Sequence, residues 1–588
     1  MPNKLSQFWQ ELKRRKVVHV ITVYAGAAFV IIELINNITE PLRLPEWTPT
    51  LVITLLLIGF PIAVIFYWIY DIHPDGGIVK TEPVHRVKEE DIPKSSDGWK
   101  IASYVSFVLI VGLIFLNIIQ RSGGKEILDK SIAVLPFENM SDSGEFEHLG
   151  DAITDEIIMQ LYKINEFQVR SRTSIMQYKE TRKTSPDIGQ ELNVNYILEG
   201  STQRFEDQVR IRVQLIEAST DEHLWGEVYE GDWSDIFDIQ INVARKVAQK
   251  LKTVLSPSEI ERIGTKPTES IEAYNLYLKG RYYWNKRTKD DLLKSINLIE
   301  EAIYRDSLYA LAYSGLADDY VVLGELSFLP ADQAFERARN AATKAIELDE
   351  NLAEPHIALA AVRRDYDWDW NGAELEYLKG IELNPDYATA HQWYSEYLSV
   401  MGRHEEAIKE INVALELDPL SPIIFSIAGS MTYYYARRYD QALNQCLKAF
   451  EIDSNFVYGH YATALVYIML ERYDDATNEA KKAVNLSGGD YSYKGTLAWA
   501  YALSGDVRES DLILQELIER AETSSMWNDE IAKIYLALGM KDQAMDWLEK
   551  GLTNRNIYMI HLNVQPTYDD LREEPRFTEL LRKVGFSE

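Results

Sequence analysis

The chain has a single cysteine, Cys446, among its 588 residues, so no intrachain disulfide can hold it together. Stability has to come from packed cores, for which 46% hydrophobic and 11% aromatic residues are ample. Cys446 falls at a helix-packing position and reads as core filler rather than a reactive thiol. Positive charge is also short: 61 Lys and Arg face 91 Asp and Glu, a formal net charge of -30. A surface of that sign repels phosphate backbones, which argues against nucleic acid as a partner. The phosphate-cradling GxxxxGKS/T and GxGxxG patterns, the GxSxG elbow and HExxH are all missing, and the ten histidines show no paired metal spacing. No catalytic, cofactor-binding or metal residue is expected, and an enzyme of unrecognised class stays only as an alternative.

What is abundant is one phrase. "ALELDP", from Ala414 to Pro419, is an ordinary helix end, apolar residues at helical spacing closed by an acid and a proline. The phrase recurs as "AIELDE" from Ala345, "GIELNP" from Gly380, "AFEIDS" from Ala449 and "AVNLSG" from Ala483; in chain order the intervals are 35, 34, 35 and 34 residues. A fixed interval of that size predicts a repeat architecture. Seven positions before each phrase stands Ala338, Ala373, Ala407, Ala442 or Ala476, and the count continues onto Ser510 and Ala544. Small residues there let antiparallel helices approach closely. In the unit from Ala388, one helix runs to Met401, Gly402 ends it, and a second runs from about Glu405 to Leu417. With small residues at its eighth, twentieth and twenty-seventh positions (Ser395, Ala407, Ala414) and Pro419 at its thirty-second, this unit resembles the tetratricopeptide repeat, over residues 270–585. Several units lack the proline and the family's first tryptophan.

The first 120 residues differ in kind. Residues 17–38, 51–70 and 101–119 each approach the ~20 apolar residues that cross a bilayer. Phe66, Tyr67, Trp68 and Tyr70 suit an interfacial belt, Glu33 within the first stretch reads as interfacial or packed against a helix, and no small-residue cleavage site suggests a signal peptide. Lys4, Lys13, Arg14, Arg15 and Lys16 precede the first stretch, and Lys80, Arg86, Lys88, Lys94 and Lys100 lie between the second and third, whereas residues 39–50 hold only Arg43. The positive-inside rule then predicts a multi-pass protein of a bacterial inner membrane, its N-terminus cytoplasmic and everything after Gln120 periplasmic, despite Arg121, Lys125 and Lys130.

Residues 130–255 read as a compact α+β domain with helices on one mixed sheet. "SIAVLPF" and "FQVRSR" are strands, "EFEHLGDAITDEIIMQLYKI" an amphipathic helix, and "YILEGSTQRFEDQVRIRVQLIEASTDEHLWGEVYEG" an antiparallel meander turning at Glu206-Asp207 and Ser219-Thr220-Asp221. "SIAVLPFENMSD", "LGDAITDEI", "VRSRTS" and the meander resemble the TolB-like amino-terminal domain of bacterial envelope proteins. The resemblance implies kinship with the extracytoplasmic parts of CadC-type regulators and membrane adenylate cyclases. In those relatives a cytoplasmic output domain precedes the membrane span; here only some sixteen residues precede the first apolar stretch, so no cyclase or winged-helix domain is expected. The whole is thus read as multidomain: a three-helix transmembrane region over 1–125, the α+β domain, and an all-α repeat superhelix.

Two clusters invite a chemical reading. Asp365, Asp367, Asp369, Asn371 and Glu376 have calcium-loop spacing, but Trp370 occupies the sixth position, where the sharp turn needs glycine, and Ala373 and Tyr377 belong to a packed helix. This stretch is therefore read as the turn between helices. Asp151, Asp155 and Glu156 lie early in a helix, where acids favour its dipole. The repeat resemblance places a concave groove at positions 2, 5, 9, 12 and 13 of each unit: Ile424, Ile427, Met431, Tyr434 and Tyr435 in one, Tyr458, Tyr461, Leu465, Ile468 and Met469 in the next. That surface is either core under a tight superhelix or a peptide groove. The expected function is a membrane-anchored scaffold in contact with the lipid bilayer, binding a protein or extended peptide on the periplasmic side; the alternative is a transmembrane sensor that signals to a cytoplasmic partner. Oligomeric state is left open.

Overall fold

The computed structural model describes residues 130–141, 149–285, 288–326, 328–522 and 527–586, together with scattered positions between 17 and 64 and two short strands, β1 (Tyr70–Ile72) and β2 (Ile78–Lys80). It divides into two compact units, Met1–Ile127 and Leu128–Glu588. In the first, the Tyr24 hydroxyl donates to the Leu56 carbonyl at 2.7 Å, and β1 pairs antiparallel with β2 on either side of "HPDGG", residues 73–77, which lie outside the described residues. The expected three-helix transmembrane region is not supported: among the described residues no helix is long and apolar enough to cross a membrane. Residues 101–119 and Glu33 lie outside the described residues, and 17–38 and 51–70 are described only in part. Apolar run length alone had suggested the spans, whereas spanning needs an unbroken helix of ~20 residues; the second run ends in strand β1. The multi-pass inner-membrane placement, with its periplasmic C-terminal domains, loses its support with the spans.

In the second unit a mixed sheet comes first, in the order β5-β3-β6-β7-β8, with β3 (Ser131–Val134) parallel to both β5 (Gln168–Val169) and β6 (Tyr196–Phe205), and β4 (Glu138–Asn139) parallel to β6. β6, β7 (Gln208–Glu217) and β8 (Glu222–Asp232) form the expected meander, and both turns use left-handed residues, Glu206 at φ 53° and Asp221 at φ 57°. Helices Leu149–Tyr162, Ser185–Leu192 and Ile236–Lys250 join this sheet in an α/β domain with an apolar core, Ile132, Val134, Ile153, Leu161, Ile197, Val213 and Val243 all being buried.

Helical hairpins follow from Ile271 to Thr553, including Ala353–Val362 with Trp370–Leu383, Ala388–Val400 with His404–Leu417, Pro422–Ile427 with Tyr439–Ile452, and Val457–Met469 with Tyr473–Leu486. Every small residue in the predicted register, from Ala338 through Ser510 to Ala544, is wholly buried between helices. The backbone repeats with the sequence. A left-handed residue ends the first helix of successive hairpins at Trp368, Gly402, Arg437, Glu471, Gly505 and Gly539, at φ between 58° and 91°. Trp368 thereby performs for the calcium-spaced stretch the turn that Gly402 performs in the next unit. The two 35-residue intervals also have a structural counterpart: the hairpins that carry the extra residue are those with π-helical turns, Arg363–Asp367 and Ala428–Tyr433. One inserted residue is absorbed by widening one helical turn, which leaves the register of the stack intact. Beyond Thr553 two 3₁₀ turns, Ile557–His561 and Pro566–Leu571, and the helix Pro575–Val584 complete the unit.

Candidate functional site

Residues of the first helices of several hairpins meet the C-terminal segment on one face of the stack. Tyr434 ends a π-helical turn, which aims its hydroxyl at Gln565 Oε1 at 3.0 Å. Tyr435 stacks on His561 at 5.6 Å between centroids. Arg437, in the left-handed turn, donates to the Val564 carbonyl and to Asp569, each at 2.9 Å. Three repeats further on, the Asp529 carboxylate accepts from the Tyr568 hydroxyl at 2.5 Å and pairs with Lys533. Burial pushes the His561 imidazole down to about 3, so this ring is neutral, and burial beside Asp529 pushes the Glu530 carboxyl up.

The ten predicted groove residues are thus brought together, in two different settings. Ile424, Ile427, Tyr434, Tyr435, Leu465 and Ile468 are buried in a core shared with Val564, while Met431, Tyr458, Tyr461 and Met469 are half-buried at its margin. Tyr458 and Tyr461 lie 5.3 Å apart, and Tyr461 meets half-buried Tyr493 at 5.8 Å. The core and groove readings of this surface are therefore divided along its length.

A second junction joins the repeats to the α/β domain. Ser174, in the short helix Arg172–Met176, donates to Asp418 and accepts from the Leu420 N–H at 2.8 Å, and the Ser171 N–H meets the Leu417 carbonyl at 3.5 Å. Asp418 closes the phrase "ALELDP", so one copy of the repeated helix end also docks a domain. Both Ser174 and Asp418 are buried.

The calcium-spaced carboxylates turn to basic side chains and a backbone N–H, with Arg363 reaching both Asp369 and Glu376. Asp365 pairs with Arg364 at 2.6 Å, Asp367 with Arg339 at 2.5 Å, Asp369 caps the helix at the Gly372 N–H, and Glu376 meets His356 at 2.6 Å. Asp151 pairs with Lys179 at 2.8 Å and Asp155 with Arg172 at 2.7 Å. Glu156 is buried under the first hairpin, which pushes its carboxyl up to about 7. Cys446 is wholly buried against Gly429, where a Cβ would meet its sulfur, and burial pushes its thiol up to about 12.

Reading the sequence missed a histidine ladder. His356, His391 and His460 occupy one register position and meet Glu376, Glu410 and Glu479 of the second helix at 2.6, 2.7 and 2.6 Å. The signal lay in the repeat interval, which separates these histidines by 35 and 69 residues, rather than in metal-ligand spacing.

Residues 529–556 match the family model of the tetratricopeptide repeat. The hairpins are tetratricopeptide repeats. Residues 128–245 match the model described as the second domain of HilA/YgeH-like transcriptional regulators, which covers most of the segment expected to be TolB-like. "Putative adenylate cyclase 3" of Rhizobium meliloti is 38% identical over 151 residues, 26% of this chain and 26% of that protein. Transcriptional regulator HilA of Salmonella typhimurium is 25% identical over 166 residues, 28% of this chain and 30% of HilA. The chain therefore spans less than a third of the length of these curated relatives. Among solved structures, a tetratricopeptide repeat protein from Parabacteroides merdae is 15% identical, with 54% of this chain and 99% of that one covered at a TM-score of 0.30.

Proposed function

We propose that this chain is a protein-binding scaffold rather than an enzyme, and that the half-buried trio Tyr458, Tyr461 and Tyr493 on the concave face holds a protein or extended peptide. The observation that carries the reading is this trio on a rigid stack of repeats. Tyrosine offers a large amphipathic contact with two torsions to immobilise, which is why such clusters anchor interfaces. The net charge of -30 supports a protein partner over nucleic acid. A photo-crosslinking residue at position 461 should yield a discrete protein adduct in cells, and one at Tyr304, 83% exposed on a different hairpin, should not. No adduct from position 461, or the same adducts from both, rejects the site.

The likeness of residues 128–245 to a regulator's domain favours a second reading, in which occupancy of the repeats is relayed to the α/β domain through Ser174 and Asp418. The TolB-like character of that domain belongs to the same proposal. Ligand-dependent change in hydrogen exchange at residues 168–176, abolished by Ser174→Ala, tests it.

A further inference from the structure

Two contacts with the C-terminal segment come from a single register position, and a third comes from one residue earlier in the next hairpin. Arg555 Nη1 donates to the Tyr366 carbonyl at 2.8 Å, Asn563 Nδ2 to the Val400 carbonyl at 3.5 Å, and the Tyr434 hydroxyl to Gln565 at 3.0 Å. Tyr366 and Val400 each stand two residues before the left-handed turn that ends their helix, at Trp368 and Gly402, and Tyr434 stands three before Arg437; the three lie at the ends of the first helices of three consecutive hairpins. The last carbonyls of a helix have no intrahelical partner, so Tyr366 and Val400 offer acceptors to the segment, whereas the Tyr434 carbonyl accepts from the Arg437 N–H and that residue engages the segment through its hydroxyl. A chain laid across stacked identical units meets the same position of each in turn, as an extended ligand does. The two outer hairpins of the three are also those with the extra residue and the π-helical turn, a feature that often marks functional positions.

We propose that residues Arg555–Asp569 are a built-in occupant that keeps the concave groove closed, and that the groove's external partner is an extended segment of the same chemistry, aromatic and apolar with a side-chain amide, which displaces it. This rests on the reading of the repeats as a protein-binding scaffold. The groove continues from Tyr434 and Tyr435 to the half-buried Tyr458 and Tyr461, so a partner that first engages this less buried margin can compete stepwise for the closed positions.

The test uses the full chain. Gln565→Ala with Asp569→Ala removes the Gln565 bond to Tyr434 and the Asp569 pair with Arg437, leaving the Arg437 bond to the Val564 carbonyl, without altering any groove residue. Hydrogen exchange at amides 557–571 should rise at least tenfold, while amides of 457–521 keep wild-type protection. A fluorescent synthetic peptide of residues 554–572 should bind the double variant at least tenfold more tightly than it binds the wild type. Asp569→Ala alone, which removes the half-exposed pairs with Arg437 and Arg572 and leaves Gln565 on Tyr434, should give the same ranking with a smaller step. Loss of protection spread evenly over the repeats in both variants overturns the proposal, because the segment is then core. Equal or undetectable peptide binding to all three chains overturns it as well. Since the peptide is the chain's own, these outcomes are independent of whether position 461 captures a cellular partner.

Discussion

The six left-handed turns allow one backbone position to be tested with opposite signs in one protein. Gly505 has φ 91° and nothing within 4 Å of where a Cβ would stand, so Gly505→Ala meets no clash and only a conformational cost. For an L-residue that conformation costs ~1–2 kcal/mol. The loss of glycine's freedom in the unfolded chain returns ~0.4–1 kcal/mol, which leaves a net destabilisation of about 1 kcal/mol. Glu471 holds the equivalent turn at φ 58° with an exposed side chain. Glu471→Gly removes the same strain and adds a glycine's entropy of ~0.5–1 kcal/mol, for a net gain of a few tenths up to about 1 kcal/mol. Repeat arrays need not unfold in one step. The measurement is therefore hydrogen exchange of the hairpins 457–486 and 491–521 together with urea unfolding of the full chain. Opening free energy should fall in the second hairpin for Gly505→Ala and rise in the first for Glu471→Gly. If both variants shift in the same direction, or Gly505→Ala is neutral, the turns are not set by φ and the reasoning fails.

Other consequences are equally direct. Glu156 titrates near 7 in the folded chain against about 4.5 when unfolded, so its stability contribution is complete below pH 4.5 and is lost as pH rises through 7; Glu156→Gln should flatten the pH dependence of the melting temperature in that window. Millimolar calcium should leave the melting temperature unchanged, because Arg364, Arg339 and Arg363 already engage the carboxylates around Trp370; a calcium-dependent rise lost in Asp367→Ala would refute this. Ser174→Ala leaves buried Asp418 without one donor and the Leu420 N–H without its acceptor, at a cost of ~1–3 kcal/mol. That loss should appear as faster exchange in residues 168–176, with the hairpin 457–486 unaffected.

Sequence periodicity determined the repeats down to single positions. Ala338, Ala373, Ala407, Ala442, Ala476, Ser510 and Ala544 are small because two helices cross there, and all are wholly buried. The meander and its turns at Glu206 and Asp221 were equally legible, since strand alternation and turn residues are local signals. Apolar run length between residues 17 and 119 misled, because hydropathy reports composition and does not report whether a helix continues. Occupancy of the groove was decided only by the tertiary structure. Tyr434 looks the same in sequence whether it faces solvent, a partner or Gln565, 131 residues away. That contact exists because the stack of repeats curves far enough to bring its C-terminal segment back across earlier units, and curvature accumulates from small rotations at every helix interface that no local pattern encodes. The same holds for Ser174 and Asp418, 244 residues apart: the acid is written into a repeated helix end, and only the assembled fold selects which copy meets the α/β domain.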